Sequence, residues 1–327
     1  MATVETPHSS IPPSPGASLS AASCASLLKA AQNADGGWGY RAGAQSRVEP
    51  TAWALLALQQ ASRTPQRVEA LAEAQRSAFQ FLRAQQLADG SWPAAPGQTA
   101  GCWATSLACW ALLADPDSRQ AVAAGLRWLC NDWPRSANLL RRMLRHLTRG
   151  TKVSEQNEAL SGWGWTPQTA SWVEPTAFAL LALQMAPNDL RPADSAKRMD
   201  LAKAMLYDRM CPGGGWNCGN PKVYGVAGDP SITQTVWALL ALRNDAGRAE
   251  QSSSLHWLEA NLAGEVKKGL ASLALAKICF DAYGKSWPAS APSIEQAAEA
   301  SELARNVMTA AWVSLALSQH ADWLKGT

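Results

Sequence analysis

No stretch of the 327 residues stays apolar for the ~20 positions that a membrane-spanning helix requires, so the chain reads as soluble or at most as a visitor to a membrane surface. Charge is sparse as well. Asp, Glu, Lys and Arg make up 17% and leave a net charge of +3, and no basic patch is interleaved with aromatics, which excludes nucleic acid as a partner. β-Branched residues are few while Ala and Leu abound, a balance that disfavours strands and suits helices packed closely through small side chains. The seven Cys are irregularly spaced and offer no disulfide framework. Several, such as Cys109 and Cys279, lie in apolar helical stretches and fit reduced thiols in a cytoplasm. Phe and Tyr are scarce at four each, against sixteen Trp.

What is present in abundance is repetition. The string Val-Glu-Pro-Thr-Ala-Trp-Ala-Leu-Leu-Ala-Leu-Gln at Val48–Gln59 returns at Val173–Gln184 with one change, Trp53 to Phe178. Each copy follows a Gly-Trp-Gly-aromatic turn at the same offset, Gly37-Trp38-Gly39-Tyr40 and Gly162-Trp163-Gly164-Trp165. Self-similarity at fixed spacing means one supersecondary unit, stacked or arranged in a ring. Residues 1–18, with four Pro, four Ser and no apolar core, read as a disordered leader, and no linker divides residues 19–327, which read as one domain.

Helical periodicity recurs in pairs divided by Gly/Pro/Trp turns. One set of segments is apolar on all sides: roughly 49–61, 99–114, 174–186, 231–243, 267–282 and 302–319. The other is amphipathic: roughly 19–31, 67–87, 118–130, 137–149, 195–210 and 250–262. A helix apolar all round is surrounded by protein, so the two sets predict an all-α (α/α)6 toroid, an inner ring of helices inside an outer ring. All inner helices then start at one mouth. Pro50 and Pro175 fit the first helical position, which puts Glu49 and Glu174 at that mouth about a third of a turn apart, and Asp229, ahead of Pro230, is expected to join them.

Gln32-Asn-Ala-Asp-Gly36-Gly-Trp38 and Gln86-Leu-Ala-Asp-Gly90-Ser-Trp92 match Gln-x3-Gly-x-Trp, the QW motif, with Asn157–Trp163 a degenerate third copy. In these turns and in Asp229–Leu242 the chain resembles a single toroidal domain of the squalene–hopene and oxidosqualene cyclases, within a superfamily that includes the β subunits of protein prenyltransferases. The resemblance covers residues 19–325 and implies the α/α toroid. Where that family has Asp-x-Asp-Asp-Thr-Ala opening an inner helix, the sequence reads Arg47-Val-Glu49-Pro50-Thr51-Ala52 and Trp172-Val-Glu174-Pro175-Thr176-Ala177. Glu49 and Glu174 thus stand at the family's proton-donating Asp, without its flanking carboxylates. The family's cyclases hold their substrate cavity between two such domains; this chain has room for one.

The resemblance implies an apolar isoprenoid ligand and a class II terpene cyclase-like reaction, in which Glu49, Glu174 and Asp229 supply the acid. Aromatic faces then stabilise the cation: Trp53, Trp103, Phe178, Trp237 and Trp312 from inner helices, Tyr40, Trp165 and Trp172 from turns at the mouth. The helix macrodipole favours the ionised carboxylate at such a start, and burial opposes it. A helix-capping role for the two glutamates and a catalytic one both remain open, as does whether the barrel is hollow or filled by its own Trp. Trp38, Trp92 and Trp163 read as packing.

A non-catalytic carrier of isoprenoid lipid, or a toroid whose mouth a protein partner closes, is the alternative. A zinc-dependent prenyltransferase is the third reading, but it needs Asp, Cys and His ligands. Cys102 lacks an adjacent Asp, His146, His256 and His320 have no partner at ligand spacing, and Cys211 and Cys218 read as an incidental loop pair, so neither metal nor cofactor is expected. Gly213–Gly215 has no following Lys-Ser/Thr and is no phosphate loop. Residues 136–152 mix Leu139, Leu140, Met143, Leu144 and Leu147 with Arg141, Arg142, Arg145 and Arg149, which fits an outer helix with a solvated face or a peripheral membrane contact.

Overall fold

A computed structural model describes residues 19–62, 65–134, 156–157, 159–245, 247–262, 269–287, 294, 297, 303–318 and 322–324. The leader and the 136–152 segment, with its outer-helix candidate 137–149, lie outside the described residues. Within them the chain forms α1 (Ala21–Ala30), α2 (Val48–Ala61), α3 (Pro65–Ala84), α4 (Ala104–Leu112), α5 (Arg119–Asn131), α6 (Val173–Met185), α7 (Ser195–Asp208), α8 (Ile232–Leu242), α9 (Ala249–Leu262), α10 (Leu270–Ala282) and α11 (Val307–Ala316). A short antiparallel hairpin, β1 (Lys222–Val223) and β2 (Val226–Ala227), precedes α8.

The ring closes. α2 packs on α4, α4 on α6, α6 on α8, α8 on α10, α10 on α11, and α11 returns to α2. These six are the apolar segments of the sequence; in α6 every residue except Glu174 and Gln184 is buried. Outside them α1 covers the α11–α2 seam, α3 the α2–α4 seam, α5 the α4–α6 seam and α9 the α8–α10 seam, while α7 lies on α6. α1, capped by Ser20, is also tied to α11 by the Ser314 hydroxyl, which donates to the Ala21 carbonyl at 3.2 Å. The architecture is the all-α toroid.

The turns at the starts of the inner helices set the register. Trp38, Trp92, Trp163 and Trp216 each donate a backbone N–H to the hydroxyl of Thr51, Thr105, Thr176 and Thr235, all at 2.9 Å. Their indole N–H groups donate to Leu28, Leu82, Leu129 and Leu206 carbonyls at the ends of the outer helices. Each Trp therefore locks one outer helix to the next inner one. Gln32 and Gln86 close the turn by donating to the carbonyls of Gly36 and Gly90 and to Ala74 and Ala121 of the next outer helix.

Met210–Trp216 is a fourth such turn, hidden in the sequence because Met stands in place of Gln. Its Gly214 keeps the positive φ of Gly36 and Gly90, and a Cβ on any of the three would strike a main-chain carbonyl of the neighbouring helix. In the third turn Arg198 of α7 replaces the missing Gln. Its guanidinium donates to the Ser161 and Gly162 carbonyls at 2.8 and 2.7 Å and stacks 3.7 Å from the Trp163 ring. If Met210–Trp216 is a true repeat, Trp216→Phe, which keeps the packing but strands the Leu206 carbonyl, should cost about 1–3 kcal/mol in urea denaturation. A loss below a few tenths would mean that the turn is only a loop.

Candidate functional site

The four Thr residues place equivalent positions around the mouth. Two residues before each stand Glu49 on α2, Trp103 at the start of α4, Glu174 on α6 and Thr233 on α8, in ring order. Trp103 therefore stands between the two glutamates. α2 and α6 begin at Val48 and Val173, two residues ahead of Pro50 and Pro175, which corrects the expected start. The prolines are still in the first turn, where a missing N–H leaves no intrahelical bond unmade.

Each glutamate has its own partner. The hydroxyl of Tyr40, a residue 43% exposed, donates to Glu49 Oε2 at 2.5 Å. The Trp103 N–H faces Glu49 near enough to favour its charged form but outside hydrogen-bond geometry, and Trp103 itself packs edge-on against Trp165 at 5.2 Å. Across Trp103, Glu174 Oε2 accepts from Gln234 Nε2 of α8 at 3.2 Å. Burial raises both carboxyls above their ordinary 4.5, against the Tyr40 and Gln234 hydrogen bonds, and for Glu174 the charge of Glu49 adds to burial and carries it to about 7. Desolvation thus outweighs the hydrogen bonds that favour the charged forms. The Tyr40 hydrogen bond favours the charged form of Glu49, and the charge of Glu49 in turn favours the proton on Glu174. The buried Cys102 thiol is close enough to feel Glu49 and is pushed up to about 11, mainly by burial.

Asp229 does not join them. It is exposed on the segment between β2 and α8, and its charge is felt at Cys211 and not at either glutamate. The position equivalent to Glu49 and Glu174 on α8 is Thr233, and Asp229 lies four residues ahead of it, before the cap residue Ser231. Trp172, the N-cap residue of α6, takes part at the rim through its backbone, donating to the Trp163 carbonyl at 2.9 Å. Gln234 and Ser231 are rim residues that the sequence reading missed. The one available signal was that α8 carries Gln where the cassette has Pro.

One helical turn deeper, residues four further on face the axis. Trp53 and Trp237, from opposite helices of the ring, stack at 5.0 Å with both side chains fully buried. Phe178 meets them edge-on at 5.9 and 5.1 Å and Trp312 at 6.1 and 6.2 Å, while Trp110 touches Trp53 at 5.8 Å. These aromatics do not line an open shaft. They meet across the barrel axis and form a floor one turn below the rim that carries Glu49, Glu174, Tyr40, Trp103 and Trp165. A polar cleft of about 640 Å³ lies elsewhere, on the outer wall between α3 and α5, and none of the rim residues lines it. Among the described residues no group of three or more His, Cys, Asp or Glu gathers in one place, and no helix is long and apolar enough to cross a membrane.

No protein-family model matches the chain. The drimenyl diphosphate synthase of Streptomyces showdoensis is 30% identical over 255 residues, 67% of this chain and 45% of that protein, so the chain spans about half the length of the curated relative it matches. The type II terpene cyclase MstE from Scytonema, solved with geranylgeranyl dihydroxybenzoate, superposes with a TM-score of 0.58 at 14% identity, over 93% of this chain and 97% of that one. The chain has a terpene-cyclase-like fold. The α-1,6-mannanase GH76A of Salegentibacter sp. HEL1_6 shares it, with a TM-score of 0.60 at 10% identity over 93% and 100% of the two chains. The fold is therefore common to terpene and glycan chemistry, and function has to be argued from the rim.

Proposed function

We propose that the chain handles an isoprenoid at this rim as a type II terpene cyclase-like enzyme, with Glu174 as proton donor and Glu49 as its ionised neighbour. The observation that carries the reading is a buried carboxyl beside a second one, its pKa raised to about 7 by burial and by the charge of Glu49, one helical turn above the stacked aromatics. The partial identity to a drimenyl diphosphate synthase supports it, and so does a type II terpene cyclase whose solved chain is one toroid of this extent.

In the reaction the O–H bond of Glu174 breaks as its proton forms a C–H bond at a terminal alkene carbon. The π pair of the next double bond closes a ring onto the resulting cation. Loss of a proton to the Glu174 carboxylate ends the sequence and restores the acid. An acid of pKa about 7 is a weak donor for an alkene, so much of the barrier lowering falls to the indole and phenyl faces that meet the cation. The floor keeps the ligand on the open side of the drum, which suits a protein partner closing the mouth. Peripheral membrane contact through 136–152 and a cytoplasmic location belong to the same proposal.

Incubation with farnesyl diphosphate, geranylgeranyl diphosphate, squalene and oxidosqualene, followed by gas chromatography and mass spectrometry, should give a cyclic product isomeric with one of them. All four recovered unchanged would end the cyclase reading. The absence of carboxylates flanking Glu49 and Glu174 favours the second reading, a carrier that performs no chemistry. Native mass spectrometry of protein drawn from its source would then find an intact isoprenoid bound.

A further inference from the structure

Gln234 stands where the duplicated cassette has proline. Thr235 corresponds to Thr51 and Thr176 through the hydroxyl it offers to a Trp N–H, so Gln234 aligns with Pro50 and Pro175. The exchange gives α8 a side chain long enough to reach across to α6, where Nε2 donates to Glu174 Oε2 at 3.2 Å. The other end of the amide is held too. Gln234 Oε1 contacts the hydroxyl of Ser231, the N-cap residue of α8, which donates to it. A hydroxyl on the oxygen end leaves the NH2 end facing the carboxyl, and an oxygen that accepts from an amide is not the one that binds a proton in the same direction.

We propose that Gln234 is a positioning residue for the proton donor. Oriented by Ser231, its amide reserves Oε2 of Glu174 as an acceptor and leaves Oε1 as the oxygen that carries and delivers the proton. The use of that proton rests on the cyclase reading; its location on the carboxyl does not. Among the described residues, the charge felt at Glu174 is that of Glu49 on α2. α8 contributes the neutral amide, and no charged group of α5 or α7, which cover the outer side of α6, acts on it.

The effect can be read on the full chain without any substrate, by infrared difference titration of the Glu174 carboxyl, with Glu174→Gln identifying its band. Gln234→Met keeps the length of the side chain and removes the donor. Because the lost bond favours the ionised form, the Glu174 midpoint should rise by about one pH unit. Ser231→Ala, which frees the amide to turn, should raise it by less, and in any turnover assay kcat should follow the shifted pH profile while KM stays put. An unmoved midpoint in a folded Gln234→Met protein overturns the inference. A fall overturns it as well, since the amide would then be presenting its oxygen to a protonated Oε2. If Gln234→Met does not fold, Ser231→Ala is judged by the same signs. A rise without turnover of any isoprenoid leaves the inference standing and removes the cyclase reading; turnover with an unmoved midpoint does the reverse.

Discussion

Glu174→Gln is expected to inactivate the protein and to stabilise it at the same time. General acid catalysis contributes about 10²–10⁴-fold, so any turnover should drop by at least that range's lower end. Stability should move the other way, for a reason of sign. The Glu174 carboxyl titrates at 4.5 in an unfolded chain and at about 7 in the folded one, so between those values the folded state binds more protons. Stability due to this group is fully present below pH 4.5 and is lost as pH rises through about 7. A glutamine carries no charge at any pH and escapes the loss. At pH 8 the variant should exceed the wild type by about 1–2 kcal/mol, less than the roughly 3 that the full shift would give, because the carboxyl is partly exposed and screened. Near pH 4 the two should be equal. Urea denaturation across that range checks this, and a wild-type stability that stays flat from pH 5 to 8 would rule out a proton held on Glu174. A gain in stability tied to a loss of activity is what a group strained for function produces.

Trp237→Ala should have the largest effect on folding. The side chain is fully buried, stacks on Trp53 and meets Phe178 and Trp312 edge-on. Truncation of a buried Trp costs about 3–5 kcal/mol, and each aromatic pair lost adds about 0.5–1.5. These side chains come from helices around the whole ring, and an aromatic on the axis has nothing behind it to move inward. The gap should therefore persist as a dry, aromatic-walled hole. A small apolar guest such as benzene should enter it and return part of the lost stability in proportion to the logarithm of its concentration. A loss below 2 kcal/mol by calorimetry, with no response to benzene, would show that the floor collapses and is not held rigidly by the ring.

Much of this arrangement was legible in the chain because it is written twice. The Val48–Gln59 and Val173–Gln184 cassettes announce two inner helices, and their all-round apolar character announces the ring that surrounds them. Three features were not legible, each because it depends on contacts between distant residues. Whether burial or the helix dipole sets the charge of Glu49 and Glu174 depends on how much water the walls exclude. Trp53 and Trp237 could have lined a shaft or closed it; what decides is that their helices face each other across the ring. Gln234 reaches a residue of the neighbouring inner helix, a pairing that only the closed ring creates.

The seam at which α11 meets α2 under the cover of α1 joins the last inner helix to the first. In an open array the last unit can peel away while the others persist, and stability grades from the middle outward. Here every inner helix has neighbours on both sides. Loss of any one hairpin breaks two walls and admits water to the aromatic floor, so the drum must melt as one body. Its length cannot drift by a unit in evolution, as that of a solenoid can, without the circle failing to meet.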